Sequence, residues 1–128
     1  MANPNEKSQV QFKQGDICHF EIPIQDKERA KAFYGEVFGW KFNDVAEMDY
    51  TLFETPGKNV GGGLFKPDDK MPNKVVNYLT VNSIEATAKK VEQLGGKTLT
   101  PKLEVPGHGF FMHILDSEGN LLSLWQGK

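Results

Sequence analysis

Alternating and helical spacing divide this chain into two runs of elements that follow the same order. From Ile17 to Ile24 polar and apolar residues alternate, with Phe20, Ile22 and Ile24 on one face and His19 and Glu21 on the other. That is the pattern of a half-buried strand. Pro23 cannot donate to a ladder and suits a strand end or a bulge. Asp26 then stands as an N-cap before Ala30, Phe33, Tyr34, Val37 and Phe38. Their spacing of three and four predicts a surface helix with one buried stripe, stopped by Gly39. Short strands are predicted at 40–44, 50–54 and 60–66, the last two separated by the turn Thr55-Pro56-Gly57-Lys58-Asn59.

After an exposed connection over 67–73 the order begins again. Val75–Val81 is a β-branched run, and Asn82 and Glu85 have capping-box spacing before a helix with the stripe Ile84, Ala88, Val91 and Leu94. Gly95-Gly96 ends it. Strands follow near 97–100, 109–116 and 121–126, the last two joined by the hairpin turn Asp116-Ser117-Glu118-Gly119-Asn120. At an offset of 56 Ala30 meets Ala86, Glu36 meets Glu92 and Gly39 meets Gly95, whereas the first strands align better at 57, with Ile24 on Val81. Single matches of alanine and glycine are cheap; the shared order of elements is the stronger argument for duplication. The predicted fold is α+β, two tandem β-α-β-β-β modules forming curled mixed sheets, with a plain ferredoxin-like domain as the alternative. The expected layout is a flexible arm over 1–14 and one domain over 15–128. Its modules span about 15–66 and 75–128, joined by a linker over 67–74.

Composition narrows the function classes. In 128 residues, 38% hydrophobic and 25% charged, there is room for one ordinary globular domain. A formal net charge of −2 gives no electrostatic case for nucleic acid or an anionic membrane. No apolar run approaches the roughly 20 residues that cross a bilayer, and the first residues carry no apolar signal core. The single Cys18 cannot form an internal disulfide and suits a reducing compartment, so a cytoplasmic location is expected. No Ser-His-Asp signature, nucleotide fingerprint or CxxC motif occurs. Gly61-Gly62-Gly63 precedes a strand, not a helix, and lacks a following Gly-Lys-Ser/Thr, so it is not a phosphate loop. Glycine in a strand points instead to a close neighbour: a ligand, another strand or a bulge.

Three stretches carry a family resemblance. HFEIPIQDKERAKAFYGEVFGWKF, VVNYLTVNSIEATAKKVEQLGGK and DSEGNLLSLWQ, in that order, resemble the vicinal-oxygen-chelate proteins, the superfamily of glyoxalases, bleomycin-resistance proteins and extradiol dioxygenases. The match is nearest to a glyoxalase-related branch and covers about residues 16–126. The resemblance implies that the two sheets curl into a cup holding a small molecule, and in the enzymes a divalent metal that chelates neighbouring substrate oxygens. It also implies a homodimer. Of the four glyoxalase ligand positions, the first falls on His19 and agrees. The others fall on Gly62 or Gly63, on Val76 (or Asn77 if the register slips by one) and on Ser123, so three of four are not matched. A site from His19, Glu21 and His113 stays open on paper, and with it a divalent metal.

His19 and Glu21, two apart on one strand, share a face and form the candidate catalytic pair, with His19 titrating near neutrality and Glu21 tuned by burial. The same pair would equally serve as a structural hydrogen-bonded couple. Tyr78, Glu21's counterpart at an offset of 57, is expected on the opposite wall as a phenol donor or as an amphipathic core residue. His108 sits on the glycine-flanked tip before the seventh predicted strand, able to fold over the cup or to stay solvated. His113, alternating with Phe111 and Leu115, is a ligand contact or a satisfied structural histidine. Ser123 and Trp125, two apart near the end, would face the cavity and suit a flat or apolar ligand. The readings in competition are therefore a small-molecule binding protein without a glyoxalase metal site, and a lyase, isomerase or oxygenase using His19 and Glu21. A third is a subunit whose cup is filled by its own side chains.

Overall fold

In the computed structural model of the chain, which describes residues 12–69 and 73–128, strand β1 (Ile17–Pro23) joins two groups of strands into one sheet. The first group is β2 (Lys41–Val45), β3 (Tyr50–Glu54) and β4 (Gly61–Phe65). The second is β5 (Val76–Thr80), β6 (Lys97–Thr98), β7 (Leu103–Val105), β8 (Gly109–Leu115) and β9 (Leu121–Gly127). Among the described residues the sheet runs β2-β3-β4-β1-β5-β9-β8-β6, with β7 beside β8. Reading outward from the β1–β5 seam, each half repeats the same sequence of strands, and each contains one parallel pair, β1 with β4 and β5 with β9. At the antiparallel seam Phe20 faces Asn77. Their separation, 77 − 20 = 57, is the offset at which the first strands align, so a local twofold relates the halves through this pair. This is the duplicated, curled mixed sheet that the element order predicts.

Helix α1 (Lys27–Phe38) begins where expected: the Asp26 carboxylate accepts from the Arg29 N–H at 3.0 Å, and Gly39 leaves the helix at φ 76°. Its stripe behaves differently. No residue of α1 is buried, and Phe33, Val37 and Phe38 are exposed, Phe33 at 56%. Helical spacing fixes which residues share a face, not how deep that face sits. Here Trp40 intervenes, stacking on Tyr34 at 4.7 Å and on Phe53 at 4.4 Å, so one aromatic column bridges helix and sheet and the rest of the stripe stays outside.

Helix α2 (Ile84–Gln93) is capped by Ser83, whose hydroxyl accepts from the Ala86 N–H at 3.1 Å. The predicted Asn82–Glu85 box is thus one residue early. The Asn82 N–H instead donates to Gln14 Oε1 at 2.6 Å, and Glu85 pairs with Lys102 at 2.9 Å. Ile84, with Ala88 and Val91, packs on Val81, Met112, Ile114 and Leu124. Leu94 follows the last helical turn as its C-cap and is 77% exposed, so it leaves the stripe. Strand β6 covers only the first two residues of the predicted 97–100 strand, and β7, three residues long, is too short to show alternation.

The concave face holds a second core: Cys18, Tyr50, Leu52, Phe65, Val76, Tyr78 and Trp125. Phe12 packs against its edge, and the Gly15 N–H donates to Thr80 O at 2.8 Å. Residues 1–11 of the expected arm and 70–72 of the expected linker lie outside the described residues. Among the described residues no helix is long and apolar enough to cross a membrane.

Candidate functional site

The alternation of β1 turns His19 and Glu21 into the concave face, where both are buried, at 2% and 3% exposure. Glu21 is the acceptor at the centre. Tyr50 donates to its Oε2 at 2.8 Å and Tyr78 to its Oε1 at 2.7 Å. His19 Nε2 lies 2.7 Å from the Tyr50 oxygen.

Tyr50 was not legible as a site residue, and a glycine explains how it arrives. Tyr50 stands on β3, while Glu21 stands on β1, with β4 between them. Gly63 of β4 pairs with Glu21, and a Cβ at Gly63 would fall within the Tyr50 ring. Only glycine lets the phenol lie across β4 to reach the carboxylate. The signal was the glycine run itself; what was missing was which aromatic would cover it.

Tyr78 is not on an opposite wall. The seam register places it directly beside His19, because an antiparallel pair around a twofold brings each residue next to the other's neighbour. Its ring meets His19 edge-on at 5.6 Å. Ser123 of β9 pairs with Tyr78 on one side and with His113 of β8 on the other. Its hydroxyl contacts His113 Nδ1. The result is a hydrogen-bonded chain His19–Tyr50–Glu21–Tyr78 across both halves, with the bonded pair Ser123–His113 on the strands beside Tyr78. Trp125 lies fully buried in the same core, and its Nε1 has no hydrogen-bond partner among the described residues. His108 takes no part in the chain: it is half-buried in the turn before β8, its N–H donating to Val105 O at 3.0 Å.

Burial sets the protonation of the chain. It pushes the Glu21 carboxyl up, against the two phenol bonds that favour its charged form. Both phenols are held well above their ordinary value, by burial first and then by the Glu21 charge, so they stay donors. His19 is driven down to about 3 by desolvation, not left near neutrality as its residue type suggested. His113 is lowered for the same reason.

These residues do not fit a glyoxalase-type metal centre. Of the positions the resemblance implies, Gly62 and Gly63 have no side chain, and Gly63 lies under the Tyr50 ring; Val76 is apolar and fully buried while Asn77 alternates to the other face; and Ser123 is engaged with His113. Among the described residues no group of three or more His, Cys, Asp or Glu side chains could hold a metal ion, so His19, Glu21 and His113 do not assemble as a ligand set. What remains open is a cleft of about 120 Å³ beside the network, with His19, Lys41, Asn43, Leu52, Lys58 and Asn59 in its wall.

Comparison with known proteins decides the family. The model of the bleomycin resistance protein-like N-terminal family matches residues 16–56. A glyoxylase-like domain-containing protein of Didymella fabae is 33% identical over 115 residues, covering 83% of this chain and 89% of that protein. The chain belongs to the glyoxalase/bleomycin-resistance/dioxygenase superfamily. A putative glyoxylase of Mycobacterium bovis is 26% identical over 92% of this chain, which spans 48% of that relative's length. Methylmalonyl-CoA epimerase of Mycobacterium tuberculosis superposes with a TM-score of 0.65 at 16% identity, covering 94% of this chain and 92% of that one. At that identity the epimerase shares the fold.

Proposed function

We propose that the protein binds a small molecule in the concave cup without a glyoxalase-type metal. The observation that carries this reading is the cleft beside His19, which opens next to a set of polar groups already satisfied by one another. A metal ligand set needs free lone pairs converging on a point, whereas Glu21 here spends both oxygens on phenols. The cleft also weighs against a cup filled entirely by its own side chains. The test is protein purified without chelator, analysed for metals and screened by ligand-observed NMR against small aromatic and carbonyl compounds. Binding without a divalent ion is the expected result. A stoichiometric ion lost on His19→Ala would overturn it.

One observation favours an enzymatic reading, of lyase, isomerase or oxygenase class. Glu21 is a buried carboxyl with a raised pKa beside a neutral histidine, the kind of perturbed pair found at proton-transfer sites. Turnover of an aldehyde–thiol adduct, a catechol or methylmalonyl-CoA that falls on Glu21→Gln would establish it. The chain acts as a homodimer, for which the exposed Phe33, Val37 and Phe38 of α1 offer an apolar face, in a reducing cytoplasm that suits the buried thiol of Cys18. Light scattering at the monomer mass would refute the dimer. The layout of an arm over 1–14, modules over 15–66 and 75–128, and a linker over 67–74 belongs to the same proposal.

A further inference from the structure

Helix α1 carries two stripes that differ in exposure. Lys27, Ala30, Lys31, Tyr34 and Gly35 are half-buried, whereas Arg29, Ala32, Phe33, Glu36 and Val37 are exposed. The exposed five recur at i, i+3, i+4, i+7 and i+8, the spacing of a helix face that packs on another helix. Phe38, exposed beside them, meets the Phe33 ring edge-on at 6.3 Å. An apolar patch with a polar rim on the outside of a helix marks a contact surface.

The charges on that face point to its occupant. Negative side chains stabilise the first turn of a helix and positive ones the last. Arg29 stands in the first turn of α1 and Glu36 in the last, each at the end that disfavours it, and the last turn holds no basic residue. Neither enters an ion pair among the described residues. Lys27 and Lys31, by contrast, reach Asp44 at 3.8 Å and 3.5 Å. A second helix lying antiparallel on this face brings its C-terminal end to Arg29 and its N-terminal end to Glu36, so both charges then meet a favourable dipole.

We propose that α1 pairs antiparallel with α1 of a second copy of this chain through the exposed stripe. The inference rests on the homodimer reading and names the surface that makes it. With the twofold between Ala32 and Phe33, Arg29 stands beside the partner's Glu36, and the Phe33 ring sits over the partner's Ala32. One axis therefore satisfies charge and shape together, with the apolar groups at the centre and the ion pairs at the rim. A single helix pair is smaller than the roughly 1,600 Å² of a standard interface, so the dimer is expected to dissociate on dilution.

The experiment is sedimentation velocity of the full chain over an about hundredfold range of concentration, where a monomer–dimer equilibrium is expected. Arg29→Glu alone and Glu36→Arg alone each set like charges together at two symmetric contacts and should raise the dissociation constant about tenfold. The double variant restores opposite charges and should return to within about threefold of the unchanged chain. It also aligns both charges with the macrodipole, so the helix itself is not put at risk. Phe33→Ser, at an exposed position, should weaken the dimer about tenfold or more. A dimer indifferent to Arg29→Glu and Phe33→Ser overturns the α1 pairing and leaves the homodimer standing. Weakening by the single charge changes without rescue in the double variant does the same. A monomer at every concentration overturns both.

Discussion

The two halves of the sheet place different chemistry at equivalent points. In the first half Glu21 stands beside Gly63, and the missing side chain is replaced by Tyr50 reaching over from β3. In the second half Tyr78 stands beside Ser123, which turns to His113 on the next strand. Each half sends one phenol to the same carboxylate and holds one buried histidine, His19 bonded to Tyr50 and His113 to Ser123. The helices differ too. Helix α2 buries Ile84 in a core of its own, while α1 leaves its apolar stripe in solvent. The two halves share the strand order and the twofold, but not the side chains at equivalent points. The carboxylate has become the single hub of a network that only the joined halves complete.

The largest expected effect tests the two histidines. His19 takes a proton near 6.5 when unfolded but only near 3 when folded, so its contribution to stability is complete above 6.5 and is lost as pH falls toward 3. The loss is on the order of 5 kcal/mol over that window. Glu21 acts in the opposite sense, since its raised pKa favours the folded state as pH falls through that pKa toward the ordinary 4.5. Urea denaturation across pH should show an acid limb that His19→Asn flattens more than His113→Asn, because His113 is the more exposed ring, 7% against 2%. Equal flattening would mean that the two histidines are interchangeable.

Gly63→Ala should cost about 3 kcal/mol, because the new methyl displaces the Tyr50 ring and breaks both of its hydrogen bonds. Ser123→Gly at the equivalent point removes a bond without forcing a ring aside and should cost less in the same urea titration. Tyr50→Phe and Tyr78→Phe should each cost about 2 kcal/mol by leaving a buried Glu21 oxygen without its donor. The double variant should depart from additivity by about 1 kcal/mol, since both phenols serve one carboxylate. Strict additivity would dissolve the hub. The smallest effect belongs to α1: Phe33→Ser on its exposed face should stay within about 0.5 kcal/mol for the monomer, against about 3 for Ile84→Ala at the buried start of α2.

Much of this was readable from residue spacing. The strand face shared by His19 and Glu21 follows from local periodicity, the Asp26 cap and the Gly39 stop from residue type at the helix ends, and the offset of 57 from comparing the two runs of elements. The approach of Tyr50 to Glu21 was not readable, because it depends on the order β3-β4-β1 and on a glycine in the strand between. The place of Tyr78 beside His19 depends on the register at the β1–β5 seam, where a shift of one residue would exchange the faces. The exposure of the α1 stripe depends on Trp40 stacking between helix and sheet. By itself the sequence determined which residues share a face and the order in which the elements come. The tertiary structure alone decided which faces meet and how deeply they are covered. Pairing between strands is made by residues distant along the chain, and the low dielectric that drives His19 down and Glu21 up exists only once those strands have closed over them.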